Sequence, residues 1–165
     1  MPVRSKTVES PKAPVKLDET DRSILRLLQQ DARRSVKELA AAVNLSPTPV
    51  HERLKRLESS GVIRQFTTIV DRSRTGKGLM VICYVSLKEH SRSAGSRFIR
   101  QIQAMDEIVE CYNISGDFDF MLKVVAGGMD EYYDFHVNKL SQIENIGNVQ
   151  STFIMGVIKE GPVRI

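Results

Sequence analysis

The first ordered pattern along the chain is helical. Ile24, Leu25 and Leu28 fall on one face of a helix that opens near Leu17. Asp18 is a good N-cap for it, and Asp21 sits three residues on, where an acid favours the positive helix end. A second start is sharper. Ser35 and Glu38 form an S-x-x-E capping box, and Val36, Leu39, Ala40 and Val43 follow at helical spacing. This helix is short, because Asn44 tolerates the left-handed conformation that ends helices, and Leu45 is expected to turn back into the core. A third helix begins at once. Ser46 is its N-cap, Pro47 fits its first position, and Pro49 is still within the first turn. Val50, Leu54 and Leu57 form its buried stripe, and Gly61 supplies the stop. Two capped starts separated by a tight turn predict a helix-turn-helix.

From Val62 the pattern changes to that of a strand, VIRQFTTIV at residues 62–70, a wing or an interdomain hinge. The breaker-rich DRSRTGKG at residues 71–78 is expected to be a linker. The second half reads as strand 79–87, helix 94–105, strands 108–114 and 118–125, helix 130–143 and strand 149–158. That β-α-β-β-α-β order predicts a ferredoxin-like sheet with both helices on one face. The fold class is therefore α+β. A winged-helix-like helix-turn-helix domain at 17–70 precedes a ferredoxin-like domain at 79–165. Residues 1–16 show no periodicity and read as a disordered basic arm. In the strand at 79–87, Leu79, Val81, Cys83, Val85 and Leu87 point one way and Met80, Ile82 and Tyr84 the other. Both faces are apolar, so both call for burial, and a second subunit on the open face predicts a two-fold homodimer.

Composition narrows the class. The 165 residues are 41% hydrophobic and 27% charged, with no Trp. No stretch approaches the ~20 apolar residues of a membrane span, and the basic N-terminus lacks the apolar segment of a secretory signal. The expected location is the cytoplasm, with Cys83 and Cys111 as free buried thiols. The net charge of +4 is unevenly placed. Residues 1–77 carry 16 Lys and Arg against 9 Asp and Glu, whereas residues 78–165 carry 8 against 11. A basic half joined to an acidic half suggests that the first meets a polyanion.

The third helix offers the means. With Val50, Leu54 and Leu57 inward, Thr48, His51, Glu52 and Lys55 face outward near its start, beside Ser46 and Pro47. Arg53 and Arg56 flank the stripe, where they are expected to reach phosphates. Such a helix enters the major groove of double-stranded DNA with its N-terminal half against base edges. His51, His90 and His136 are scattered, with no Cys or acid at ligand spacing, and no nucleophile elbow or phosphate loop occurs. The expectation is no metal, no cofactor and no catalysis. The turn Ser115-Gly116-Asp117-Phe118-Asp119 has two readings. Its backbone N–H groups and carboxylates can hold a zwitterion, or it is an ordinary hairpin turn.

Two runs carry a family resemblance. SVKELAAAVNLSPTPVHERLKRLESSGVI, residues 35–63, resembles the helix-turn-helix of the leucine-responsive/asparagine-responsive (Lrp/AsnC, feast/famine) regulators. VECYNISGDFDFMLKV, residues 109–124, resembles that family's effector-domain core with its G-D-[FY]-D turn. The resemblance implies a sequence-specific regulator, dimeric and assembling further, often into octameric rings that DNA can wrap. It also implies an amino-acid effector in a cleft between subunits. The matching positions are Ser115, Gly116, Asp117 and Asp119, with Ser151 and Thr152 of the last strand. Two competing readings are a nucleoid-compacting protein without effector and an enzyme like the haem-pathway decarboxylases. The latter needs basic and His side chains around a porphyrin-sized pocket, and the second half is acidic with separated histidines.

Overall fold

Three helices open the chain, each at the cap its sequence announces. α1 (Glu19–Gln30) starts with a complete capping box: Asp18 accepts the Asp21 N–H at 2.7 Å, and Asp21 accepts the Asp18 N–H at 3.2 Å. α2 (Val36–Ala42) has the reciprocal Ser35–Glu38 pair and ends at Asn44, whose φ is 54°. α3 (Pro47–Ser59) follows from Ser46, but the serine hydroxyl makes no cap hydrogen bond. The third helical residue is Pro49, which has no N–H to donate. Ile24, Leu39, Ala40 and Val50 form the centre of this unit, with Leu54 packed against them and Leu57 also buried. Leu45 is a correction. It is 39% exposed, because the Leu45 N–H closes the turn onto the Ala40 carbonyl at 3.0 Å and leaves the side chain outward.

The computed structural model describes residues 13–165 and divides into two compact units. One comprises the residues up to Ile69 with Lys159–Ile165, the other Val70–Ile158. Most of the expected basic arm, residues 1–12, lies outside the described residues, and residues 13–18 form no regular structure. Residues 62–70 also depart from expectation. They form no strand, and Phe66, Ile69 and Val70 are exposed. β-branched residues make a segment competent to pair, but a strand exists only on a ladder, and no described strand pairs with this one. The expected linker is more ordered than its composition suggests. Asp71 accepts from the N–H and hydroxyl of Ser73, Gly76 takes φ 72°, and Lys77 pairs with Glu131 in the second unit.

The second unit runs β1 (Leu79–Leu87), α4 (Arg92–Ile102), β2 (Ile108–Asn113), β3 (Phe120–Ala126), α5 (Met129–Asn138) and β4 (Ile146–Phe153). The strands form one antiparallel sheet in the order β2-β3-β1-β4, the expected ferredoxin-like arrangement. Val81, Cys83, Val85 and Leu87 of β1 pack with Phe98 and Ile102 of α4 and with Tyr132 and Phe135 of α5. β4 stops at Phe153 rather than 158, because Phe153 already pairs with Val81, near the start of β1, and the ladder runs out. Met80, Ile82 and Tyr84 lie on the opposite face, level with Val125, Lys123 and Met121 of β3. Cys83 is buried and free as expected, but Cys111 is exposed on the edge strand β2. Among the described residues, no helix is long and apolar enough to cross a membrane.

Candidate functional site

The outward face of α3 is built by the packing of its inner face. With Val50 and Leu57 buried, Thr48, His51, Glu52 and Lys55 are all exposed, as are Ser46 and Pro47 at the helix start. Of the first three helical residues only Thr48 carries a backbone N–H, so the helix mouth offers few backbone donors to an anion. What this end presents to a partner is therefore mostly side chains.

Arg53 and Arg56 behave otherwise. Arg53 Nη1 lies 2.7 Å from Asp21 Oδ1 and 2.5 Å from Asp18 Oδ2, and Arg56 Nη2 lies 2.6 Å from each Asp21 oxygen. Asp21 is fully buried, the one buried charged side chain among the described residues. Burial pushes its carboxyl up, but hydrogen bonds from Arg56, Arg53 and the Asp18 N–H outweigh this and hold it below the ordinary carboxylate range. Asp18 is lowered as well, first by the Asp21 N–H and then by Arg53. The two arginines expected at phosphates are therefore already engaged by acids of α1. The sequence carried a signal for this: Asp21 shares the i, i+3, i+4, i+7 stripe of Ile24, Leu25 and Leu28, so it faces the core and needs a partner.

The turn between β2 and β3 is open. Ser115, Gly116 and Asp117 are exposed, and Gly116 has φ 116°, a backbone region that glycine enters without strain. Asp119 is occupied instead. Its Oδ2 accepts the Leu87 N–H at 2.7 Å, its Oδ1 lies 3.0 Å from His90 Nδ1, and its own N–H donates to the Val85 carbonyl. It thus fastens the end of β1 to the turn. Phe118 stacks on Tyr84 with ring centroids 5.5 Å apart.

The last-strand residues do not join this turn in the single chain. Ser151 pairs with Cys83 and faces the helices, its hydroxyl 2.5 Å from the Tyr132 hydroxyl, which in turn lies 3.2 Å from Cys83 Sγ. Burial, followed by the Cys83 contact, raises the Tyr132 phenol. Thr152 pairs with Ile82 and lies on the open face. Ile82 is three residues from Val85 along β1, about 10 Å at the rise of a strand. Among the described residues, no group of three or more His, Cys, Asp or Glu side chains is placed to hold a metal ion.

Comparison with known proteins covers both units. Residues 17–64 match the winged helix-turn-helix DNA-binding family and residues 80–164 the Lrp/AsnC ligand binding domain family. The transcriptional regulator AzlB of Bacillus subtilis is 36% identical over 145 residues, covering 88% of this chain and 92% of AzlB. The leucine-responsive regulatory protein of Escherichia coli is 34% identical over 154 residues, covering 93% and 94%. A Neisseria meningitidis transcriptional regulator solved as an L-Met complex superposes with a TM-score of 0.84 at 29% identity, covering 88% of this chain and 94% of that one.

Proposed function

This chain belongs to the Lrp/AsnC family of DNA-binding transcriptional regulators, and from that premise we propose how it reads DNA and what it senses. α3 lies in the major groove, with Thr48, His51, Glu52 and Lys55 toward base edges and Ser46 and Pro47 at its mouth. The observation that carries this reading is that all four side chains are exposed and none is engaged by another described side chain. Arg53 and Arg56 seat the helix on α1 through Asp21.

The effector is a free amino acid. Its carboxylate meets the backbone N–H groups of Ser115, Gly116 and Asp117, and its ammonium meets Asp117. The L-Met complex and the leucine-responsive relative support this class. The open turn is completed by a second copy of the chain, since the apolar open face of the sheet (Met80, Ile82, Tyr84) favours a homodimer, which assembles further toward an octamer.

Titration of duplex DNA over a range of salt tests the first part. Binding weakens with a log–log slope of about −0.9 per phosphate neutralised, and Thr48 or Lys55 substitutions flatten base preference. Affinity independent of salt contradicts it. A thermal-shift screen of the standard amino acids tests the second, because a ligand of the folded state raises the midpoint. No shift with any of them contradicts it.

A further inference from the structure

We propose that Asp21 limits the sequence-independent part of DNA affinity: it holds Arg53 and Arg56 back from phosphates and so keeps binding to any duplex weaker than two free guanidiniums would make it. The proposal rests on the placement of α3 in the major groove.

The geometry supplies the lock. Asp21 is fully buried, and both of its oxygens are taken by Arg56 Nη2, one of them also by Arg53 Nη1. Asp18 adds a second carboxylate to Arg53. Two acids of α1 and two arginines of α3 thus form a neutral cluster. An exposed ion pair exchanges its partners readily, because water covers whichever charge is left. Asp21 is held more firmly, by three guanidinium contacts and the Asp18 N–H, and an arginine that left for a phosphate would forfeit its share of them.

The consequence for DNA follows from what phosphate contacts do. They add affinity to every duplex alike and carry no base information directly. Two guanidiniums beside the reading helix, if released, would raise affinity for random DNA and leave base discrimination as it was. Their capture by Asp21 leaves Lys55, which no described carboxylate engages, on the same outward surface as Thr48, His51 and Glu52. Affinity then depends more on the bases met and less on the backbone.

The test compares two duplex probes of about 30 bp, long enough for two half-sites one helical turn apart. One is the sequence that the wild-type full chain enriches from a random pool, the other the unselected pool. Asp21→Asn is expected to bind the unselected pool about tenfold more tightly and to steepen its salt slope by about one to two, at roughly 0.9 per added phosphate contact. The selected probe gains by about the same factor, so the ratio of the two affinities is kept. Asp21→Asn with Arg56→Gln brings the slope back by about one. If Asp21→Asn does not fold, Asp18→Asn decides. That side chain is half-exposed, and Asn caps a helix as well as Asp, so the fold is kept while one carboxylate on Arg53 is lost. It is expected to steepen the slope by a smaller amount. Variants that bind both probes more weakly with unchanged slopes overturn the proposal, since a purely structural Asp21 gives that result. Tighter binding of the selected probe alone, with the affinity ratio raised, overturns it too. Wild-type protein without salt-dependent duplex binding overturns the underlying placement of α3 and the proposal with it.

Discussion

In the helical unit one chain finishes its candidate face. The caps at Asp18 and Ser35, the core around Ile24 and Val50, and the Asp21 cluster fix α3, and its outward side chains Thr48, His51, Glu52 and Lys55 are left exposed and unengaged. In the sheet unit one chain leaves its candidate site open. Gly116 and Asp117 face solvent, Asp119 fastens β1, and Ser151 and Thr152 lie on opposite faces of β4. A pair of carboxylates makes the contrast concrete. Asp21 and Asp119 both hold backbone and side-chain donors, but Asp21 is wholly buried while the Asp119 side chain is 27% exposed. A duplex is long and charged, so an outward face suffices to meet it. A small zwitterion has little surface, so it needs walls on several sides.

The largest expected effect separates the two faces of the sheet. Val81→Lys places an unpaired charge among Phe98, Leu122 and Phe135 and should cost about 4 kcal/mol or more, unfolding this unit. Ile82→Lys, on the open face, should leave the unit folded and shift the population toward monomer. Circular dichroism and light scattering read the two effects, and a compact wild-type monomer at micromolar concentration would break the contrast. Next comes the turn. Asp117→Ala should weaken the amino acid found in the thermal screen roughly tenfold to a hundredfold, the loss of ~1.5–3 kcal/mol expected for a charged contact. Asp119→Ala should weaken it as well and also cost about 1–3 kcal/mol of stability, since the Leu87 N–H loses its acceptor. Calorimetric titration in which both bind like wild type puts the pocket elsewhere.

A third effect belongs to the helical unit alone. Asp18 and Asp21 are held below the ordinary value of 3.8, so on acidification the unfolded chain takes up protons first. Their contribution to stability is complete above that value and is lost as pH falls through it toward their lower folded values. Thermal midpoints across acidic pH should show this for wild type and less of it for Asp18→Asn; equal slopes would refute it. The smallest effect compares two caps. Ser35→Ala removes the hydroxyl half of a capping box, which accepts the Glu38 N–H, and should cost about 1 kcal/mol. Ser46→Ala removes a hydroxyl with no cap bond and should change thermal stability by only a few tenths. Equal losses would show that Ser46 caps α3 after all.

Much of this was legible along the chain, because caps, stripes and turns are local. The helix starts at Asp18, Ser35 and Ser46, the left-handed Asn44 and the extent of β1 all follow from a few neighbouring residues. Of the candidate site, the outward residues of α3 and the Gly116 turn were legible for the same reason. What local pattern misjudged were partners. Arg53 and Arg56 look like free cations in a sequence, since their acceptor lies more than thirty positions away. Residues 62–70 look like a strand, since propensity does not say whether a ladder is present. By itself, then, the sequence determined the elements, their order and the family, through periodicity and motif. Tertiary structure alone decided which charges are spent inside the protein, which face of β4 Ser151 occupies and which turn stays open. Those outcomes depend on groups distant in sequence that meet only when the core closes, where burial makes an unpaired charge too costly to leave.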